Sequence, residues 1–299
     1  MSRAAEFRKI LKNGGPGIVP GAGDCFTARL LEQIGFPALA ISGSAAANTY
    51  LGAPDIGLIT LDEMVSQTRR IAGAVSIPVI ADGDTGYGGV ANVKRLVREM
   101  EDSGAAAVHI EDQVFPKRCG HYEGKSVVPV EEMLFRLQAA LDARSNPDFV
   151  IIARTDARQP EGFESTMKRA KVYAELGVDG IFFEQPQSVE ELREVGSAFR
   201  GKINMANMVP GGKTPVLPAS ELKAMGFNVI AYANLPLCLG AYGIKKGMTR
   251  LLQTGTPDGV IDEMLSFEER QNVVDLKSAD AYERDLVERV RGRAKMPVT

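Results

Sequence analysis

A chain of 299 residues, 44% hydrophobic and 24% charged, carries enough apolar side chain for one large buried core with some helix to spare. Its formal net charge of -3 leaves no positive field to hold a nucleic-acid backbone or an anionic membrane surface. The opening MSRAAEFRKILKNGG is amphipathic and lacks the apolar block of a secretory leader, and no later run approaches the roughly 18 apolar residues of a membrane span, so a cytoplasmic protein is expected.

Taken in chain order, short apolar runs alternate with longer stretches of helical period, the pattern of parallel βα units. The runs are Gly17–Pro20, Ala38–Ile41, Pro78–Ala81, Ala106–Ile110, Phe149–Ala153, Gly180–Phe183, Ile203–Ala206 and Val229–Tyr232. Amphipathic stretches such as Leu61–Ile71, Asn92–Asp102, Glu131–Ala143 and Glu164–Leu176 lie between them, with Gly73, Gly104 and Gly177 as helix stops. Eight strands predict a (β/α)8 barrel, since an open doubly wound sheet uses fewer. The expectation is a single domain over 1–299, with about 240–299 as a C-terminal helical region that packs between subunits.

Polar residues follow each apolar run: Asp24, Ser42-Gly43-Ser44, Asp82-Gly83-Asp84, Glu111-Asp112-Gln113, Arg154-Thr155-Asp156, Glu184, Asn207 and Asn234. Strand C-termini converge on one mouth of a barrel, where barrel enzymes place their chemistry. Carboxylates crowded there raise one another's pKa unless a cation compensates. Asp82, Asp84 and Glu111 offer oxygen donors without a neighbouring His or Cys pair, which suits Mg²⁺ or Mn²⁺ better than Zn²⁺. The competing reading is a D-G-D turn with Glu111 paired to Arg154.

After the fourth run, Phe115-Pro116-Lys117-Arg118-Cys119-Gly120-His121 continues through Tyr122-Glu123-Gly124-Lys125 as a polar, glycine-rich loop suited to closing over a substrate. Lys117, Arg118 and His121 around Cys119 are expected to favour its thiolate, making it a nucleophile or a general acid. Cys25 and Cys238 sit in apolar helical stretches and are expected in the core, and three cysteines far apart fit neither a disulfide framework nor a paired zinc site. Of the two histidines, His109 falls on a strand and is expected inside the barrel, which leaves His121 for the site. Arg154 offers a planar fork to a carboxylate, and Glu184 a group to orient it.

These segments carry a resemblance. Ile41-Ser42-Gly43-Ser44, Leu51-Gly52-Ala53-Pro54-Asp55, Ala81-Asp82-Gly83-Asp84-Thr85-Gly86, Glu111-Asp112-Gln113, Lys117-Arg118-Cys119-Gly120-His121, Ala153-Arg154-Thr155-Asp156-Ala157 and Ala206-Asn207-Met208 resemble the isocitrate lyase and phosphoenolpyruvate mutase superfamily. The similarity is to its short-chain branch of 2-methylisocitrate lyase, 2,3-dimethylmalate lyase, oxaloacetate hydrolases and carboxyphosphonoenolpyruvate mutase, over nearly the whole chain. It implies a homotetramer whose subunits exchange the last barrel helix. It also implies a Mg²⁺ ion near Asp82, Asp84 and Glu111, largely through water, with the 2-oxyacid end of a small carboxylate substrate on Ser42, Gly43, Ser44 and Arg154. Gly120, His121, Glu184 and Asn207 would line the rest, with Asp55 near the reacting centre.

The chemistry implied is loss of the 2-hydroxyl proton, cleavage of C2–C3 and reprotonation of the enolate-like partner by Cys119. Tyr232-Ala233-Asn234-Leu235-Pro236 departs from the Tyr-Pro-Leu-Ser of several relatives, and Leu239 stands near the arginine that holds a third carboxylate in methylisocitrate lyase. Ala206–Pro215 looks more like dimethylmalate lyase. The expected substrate is therefore a 2,3-dialkylmalate, with methylisocitrate next. Oxaloacetate hydrolysis, phosphonomutase chemistry and a non-enzymatic binding barrel are the alternatives.

Overall fold

The computed structural model describes residues 2–294. Eight parallel strands close into a barrel in sequence order: β1 Gly17–Ala22, β2 Leu39–Ile41, β3 Val79–Asp82, β4 Ala107–Glu111, β5 Val150–Thr155, β6 Gly180–Phe183, β7 Ile203–Asn207 and β8 Val229–Tyr232. Closure comes from β1 pairing with β8, Gly17 opposite Val229 and Pro20 opposite Tyr232. Each expected strand is present, several running one or two residues further toward the C-terminal mouth.

The helices are α1 Arg3–Lys12, α2 Cys25–Ile34, α3 Gly43–Ala46, α4 Leu61–Ala74, α5 Val90–Asp102, α6 Val130–Ala143, α7 Arg158–Glu161, α8 Phe163–Glu175, α9 Val189–Ala198, α10 Ala219–Met225, α11 Leu235–Thr254, α12 Phe267–Val273 and α13 Leu276–Ala294. In α5 the buried residues Val93, Leu96, Val97 and Met100 recur at helical spacing, each contributing about 1.5–3 kcal/mol by leaving water. Thr60 and Glu63 form a reciprocal capping box that starts α4. Gly73 does not stop that helix: it runs on to Ala74 and ends at extended Val75, ahead of the backbone restriction that Pro78 imposes. Gly104 and Gly177 do follow helix ends, at φ 87 and φ 103.

Two layers of core follow the two-residue period of the strands. In β5, Ile151 and Ala153 face the helices, while Val150 and Ile152 fill the barrel with Val19, Ala40, Ile80, Phe182, Met205 and Ala231. Phe7 of α1 packs into the same interior and Arg8 reaches Asp179 at 2.7 Å, so α1 plugs the N-terminal end. One further step in the inward phase places Ser42, Asp82, Glu111, Arg154, Glu184 and Asn207 in the layer above the apolar filling.

The chain divides into compact units Met1–Gly240 and Ala241–Thr299. Within the second, Ser266 and Glu269 form a capping box for α12, and Lys246 pairs with Glu263 at 2.6 Å. Cys238 is exposed on α11, a helix without a buried residue, and Cys25 is only partly buried at the first residue of α2, so neither is the core residue its apolar neighbours predict. Among the described residues no helix is long and apolar enough to cross a membrane.

Candidate active site

The cavity at the C-terminal mouth is lined by Ser42, Ser44, Asp55, Asp82, Cys119, Gly120, His121, Arg154, Glu184 and Asn207, over a floor that includes Ala40, His109, Phe182, Met205 and Ala231. Ten of the thirteen residues singled out from sequence thus share one wall. Gly43, Asp84 and Glu111 lie just behind it. The Gly43 amide donates to Asp82 Oδ2 at 2.8 Å, and a Cβ on Gly43 would stand 2.6 Å from that oxygen, so only glycine allows the approach.

Asp24 and Asp112 are among the strand-end polar groups that do not line the cavity. Asp24 caps α2 by accepting from the Thr27 amide at 2.8 Å. Asp112 falls on the outward phase of β4, where it accepts from Thr155 Oγ1 at 2.7 Å, the Asp156 amide at 2.8 Å and Tyr173 Oη at 3.0 Å. Burial pushes its carboxyl up to about 6, against those hydrogen bonds.

The mouth has two charged flanks. On one, Lys117 Nζ stands 2.6 Å from Asp55 Oδ1 and 3.3 Å from Asp84 Oδ2, with Asp82 beyond. Burial opposes the charge of Asp82, yet His109 (cationic in acid), Lys117, Arg154 and the Asp84 amide hold its carboxyl down at about 2. For Asp84 the balance tips the other way: burial, with Asp82 and Asp55 nearby, raises it despite Lys117. Asp84 and Tyr87 also hold positive φ, 49 and 57, a strained turn at the acidic cluster.

On the other flank, Arg154 lies over the Phe182 ring at 4.9 Å and meets Asp156 at 2.8 Å, Glu111 at 3.2 Å and Glu184 at 3.4 Å. Glu111 is nevertheless raised well above the usual carboxylate range by burial and by the charges of Asp156 and Asp84. Burial also opposes the charge of Glu184, but Arg154 and His121 lower it. Glu111 is paired with Arg154, as the competing reading expects, and also feels the charge of Asp84.

The loop 113–127 has no helix or strand, and a bridge between Gln113 and Val127 closes its base. The Cys119 amide donates to Asp55 O at 3.0 Å, and Gln113 bonds both the amide and the carbonyl of Arg118. Cys119 corrects the thiolate expectation: burial, then the charges of Asp55 and Glu184, push its thiol up to about 11. Lys117 turns to the aspartates and His121 Nε2 lies 3.3 Å from Glu184, so two of the three bases beside Cys119 in sequence are partnered elsewhere. Raised in this way, the Cys119 thiol is held in its protonated form at neutral pH.

Lys117 as the ammonium of the acidic flank, and the Ser42 hydroxyl donating to Asn234 Oδ1 at 3.1 Å, were not legible as contacts in the sequence. The signal for Asn234 was its place after β8.

Among the described residues no three His, Cys, Asp or Glu side chains form a ready-made metal-ligand set. The fit of a hard cation rests on chemistry instead: Asp55, Asp82 and Asp84 are buried oxygen donors around one ammonium, and burial, with Asp82 and Asp55 alongside, raises Asp84 despite that ammonium.

The chain is similar to known proteins along nearly its whole length. A family profile described as phosphoenolpyruvate phosphomutase matches residues 7–252. The chain is 40% identical to 2,3-dimethylmalate lyase of Eubacterium barkeri over 93% of its length and 96% of that protein. It is 38% identical to 2-methylisocitrate lyase of Shewanella oneidensis over 88% of its length and 90% of that protein. A solved structure of oxaloacetate acetylhydrolase in complex with the inhibitor 3,3-difluorooxalacetate superposes with a TM-score of 0.91 and 33% identity, covering 95% of this chain and 97% of that one.

Proposed function

The chain belongs to the phosphoenolpyruvate phosphomutase family, within the PEP mutase/isocitrate lyase superfamily, and on that premise we propose that it is a Mg²⁺-dependent lyase that cleaves C2–C3 of a 2,3-dialkylmalate to a 2-oxo acid and a second carboxylate. The observation that carries this reading is a protonated thiol, Cys119, held over a cavity that also presents the Arg154 fork and the Asp82 carboxylate.

The lining gives the substrate its outline. Among the described residues its one permanent cation is Arg154, which matches a dicarboxylate with its second charge on a metal better than a tricarboxylate. Ile41, Val209 and Ala233 supply apolar wall for alkyl groups on C2 or C3. Asp82, with Asp84 and Glu111 behind it, would hold the Mg²⁺, which supplies polarisation of the 2-oxygen and offsets the crowded carboxylates.

The protein's own groups do the rest. Arg154 binds and orients a substrate carboxylate, with Ser42 and Ser44 beside it. As the hydroxyl proton leaves, C2 becomes a carbonyl, the C2–C3 electron pair passes to C3, and the Cys119 S–H proton moves onto that carbon. The hydroxyl proton leaves to solvent and the thiolate left on Cys119 takes one back from solvent, so each turnover is proton-neutral. Gly120 and His121 shield the developing charge from water. The large apolar residues exposed on α11, Leu239 at 63% and Leu252 at 88%, support assembly, and a homotetramer is part of this proposal.

A second reading, hydrolysis of oxaloacetate, is favoured by one feature: the Asn234 amide beside Ser42 gives the wall polar atoms suited to a hydrated carbonyl. Incubation with MgCl₂ and 2,3-dimethylmalate, 2-methylisocitrate, oxaloacetate or carboxyphosphonoenolpyruvate separates these outcomes. Pyruvate release from the malate derivative, abolished by EDTA and in Cys119→Ser, is expected; oxalate from oxaloacetate alone selects the second reading, and turnover of the phosphonate alone sinks both.

A further inference from the structure

Lys125 follows the Cys loop at its far end, where the sequence gives it no role, yet its side chain is fully buried. Its ammonium ion pairs with Asp156 Oδ1 at 3.0 Å and also donates to the carbonyl oxygen of Gly120. Gly120 is the residue between Cys119 and His121, and Asp156 is the carboxylate that accepts Arg154 Nε at 2.8 Å and Nη2 at 3.2 Å. One buried ammonium therefore joins the backbone of the Cys loop to the anchor of the substrate arginine.

The anchor is itself fixed from the helix side of the sheet. The Asp156 amide donates to Asp112, which also holds Thr155 and, through Tyr173, α8. Elsewhere the loop is held by the Cys119 amide on Asp55 O at 3.0 Å, by Gln113 on both backbone groups of Arg118 and by the Tyr122 amide turning back to Cys119 O at 2.8 Å, with Glu123 paired to Lys213 at 3.0 Å in solvent; among these, Lys125 is the contact that ties the Gly120 backbone to Asp156. Clearance over Arg154 is small, because a Cβ on Gly120 would lie 2.7 Å from Arg154 Nη2 and 2.8 Å from Glu184. A loop that close needs its height set by something rigid.

We propose that Lys125 is a positioning residue, which through Gly120 and Asp156 holds the Cys119 thiol and His121 in register with the Arg154 fork. The proposal rests on the site reading above for its effect on turnover, but not for its effect on the loop. Burying a lysine is costly and is sustained here by one full ion pair and one carbonyl, a cost that loop packing alone does not require.

The test uses the full-length protein with Cys25→Ser and Cys238→Ser, so that Cys119 is the one thiol, and adds Lys125→Met. Alkylation of Cys119 by iodoacetamide, followed by mass spectrometry well below the unfolding temperature, is expected to speed up by about tenfold as the loop loses its register. In the cleavage assay kcat is expected to fall by roughly 10- to 100-fold with KM within about threefold, as for a misplaced acid. Lys125→Ala with added ethylammonium restores part of both properties, and it serves if the Met variant folds poorly. Unchanged alkylation and kcat in a folded Lys125 variant overturn the proposal, as does a lowered unfolding temperature with both unaltered. Faster alkylation in a protein that cleaves no hydroxy acid keeps the positioning role and removes the lyase reading instead.

Discussion

The two flanks of the barrel mouth solve the same problem in different ways. Each gathers three buried carboxylates around a cation: Asp55, Asp82 and Asp84 around Lys117, and Glu111, Asp156 and Glu184 around Arg154. A guanidinium is planar and meets several carboxylates at once, and Lys125 adds a second positive charge at Asp156. An ammonium is a point charge, and Lys117 satisfies Asp55 at 2.6 Å better than Asp84 at 3.3 Å. The Arg154 flank thereby presents a planar fork to a substrate carboxylate, whereas the Lys117 flank, with the raised Glu111 adjoining it, retains an appetite for positive charge.

The largest effect that would break this contrast belongs to the Arg154 flank. Arg154→Met leaves Glu111, Asp156 and Glu184 buried without their shared cation, and a loss of about 3–5 kcal/mol is expected in urea denaturation. MgCl₂ should recover little of it, because the missing charge belonged to a fixed fork. Recovery of most of the loss by Mg²⁺ would show that the flanks are interchangeable.

Lys117→Met should cost less, about 2 kcal/mol in EDTA, since burial and the neighbouring carboxylates already raise the Asp84 pKa and ease its taking a proton in place of the ammonium. There Mg²⁺ is expected to help. The rise in unfolding temperature on adding MgCl₂ should be larger in Lys117→Met than in the parent protein, because the variant presents the same donors without a competing cation. An equal or smaller rise would place the cation elsewhere.

Legibility from sequence followed the same division between fixed period and long-range contact. The barrel was readable because eight apolar runs and intervening helical periods are local signals, and the inward phase of β5 carried directly from Val150 through Ile152 to Arg154. That phase also tells Glu111 from Asp112, which the sequence reading placed together at the mouth although adjacent strand residues face opposite ways. Lys117 was read by its neighbours in the chain, as a base that activates Cys119. The fold turns it to Asp55 and Asp84, tens of residues away, and no periodicity encodes that choice. Lys125 shows the same limit: a lysine after a glycine in a polar loop reads as solvent-exposed until Asp156 is brought beneath it.

Cys119 stands between the flanks and takes something from each, which gives the smallest and most selective test. Burial comes first, then Asp55 from one flank and Glu184 from the other raise its pKa to about 11, while Arg154 pulls the opposite way. A thiol raised in the folded state contributes stability that is present below its unfolded pKa, about 8.5, and is lost as pH climbs from there through the folded value. Between pH 8 and pH 9.5 the native protein should lose about 1 kcal/mol more than Cys119→Ser, in which no thiol titrates. Paired denaturation curves at those pH values cancel every other titrating group common to the two proteins. Parallel curves would mean that the thiol ionises in the fold as it does in the open chain, and a cysteine of that kind would be largely thiolate by pH 9, so that any proton delivery to C3 would fade above that pH.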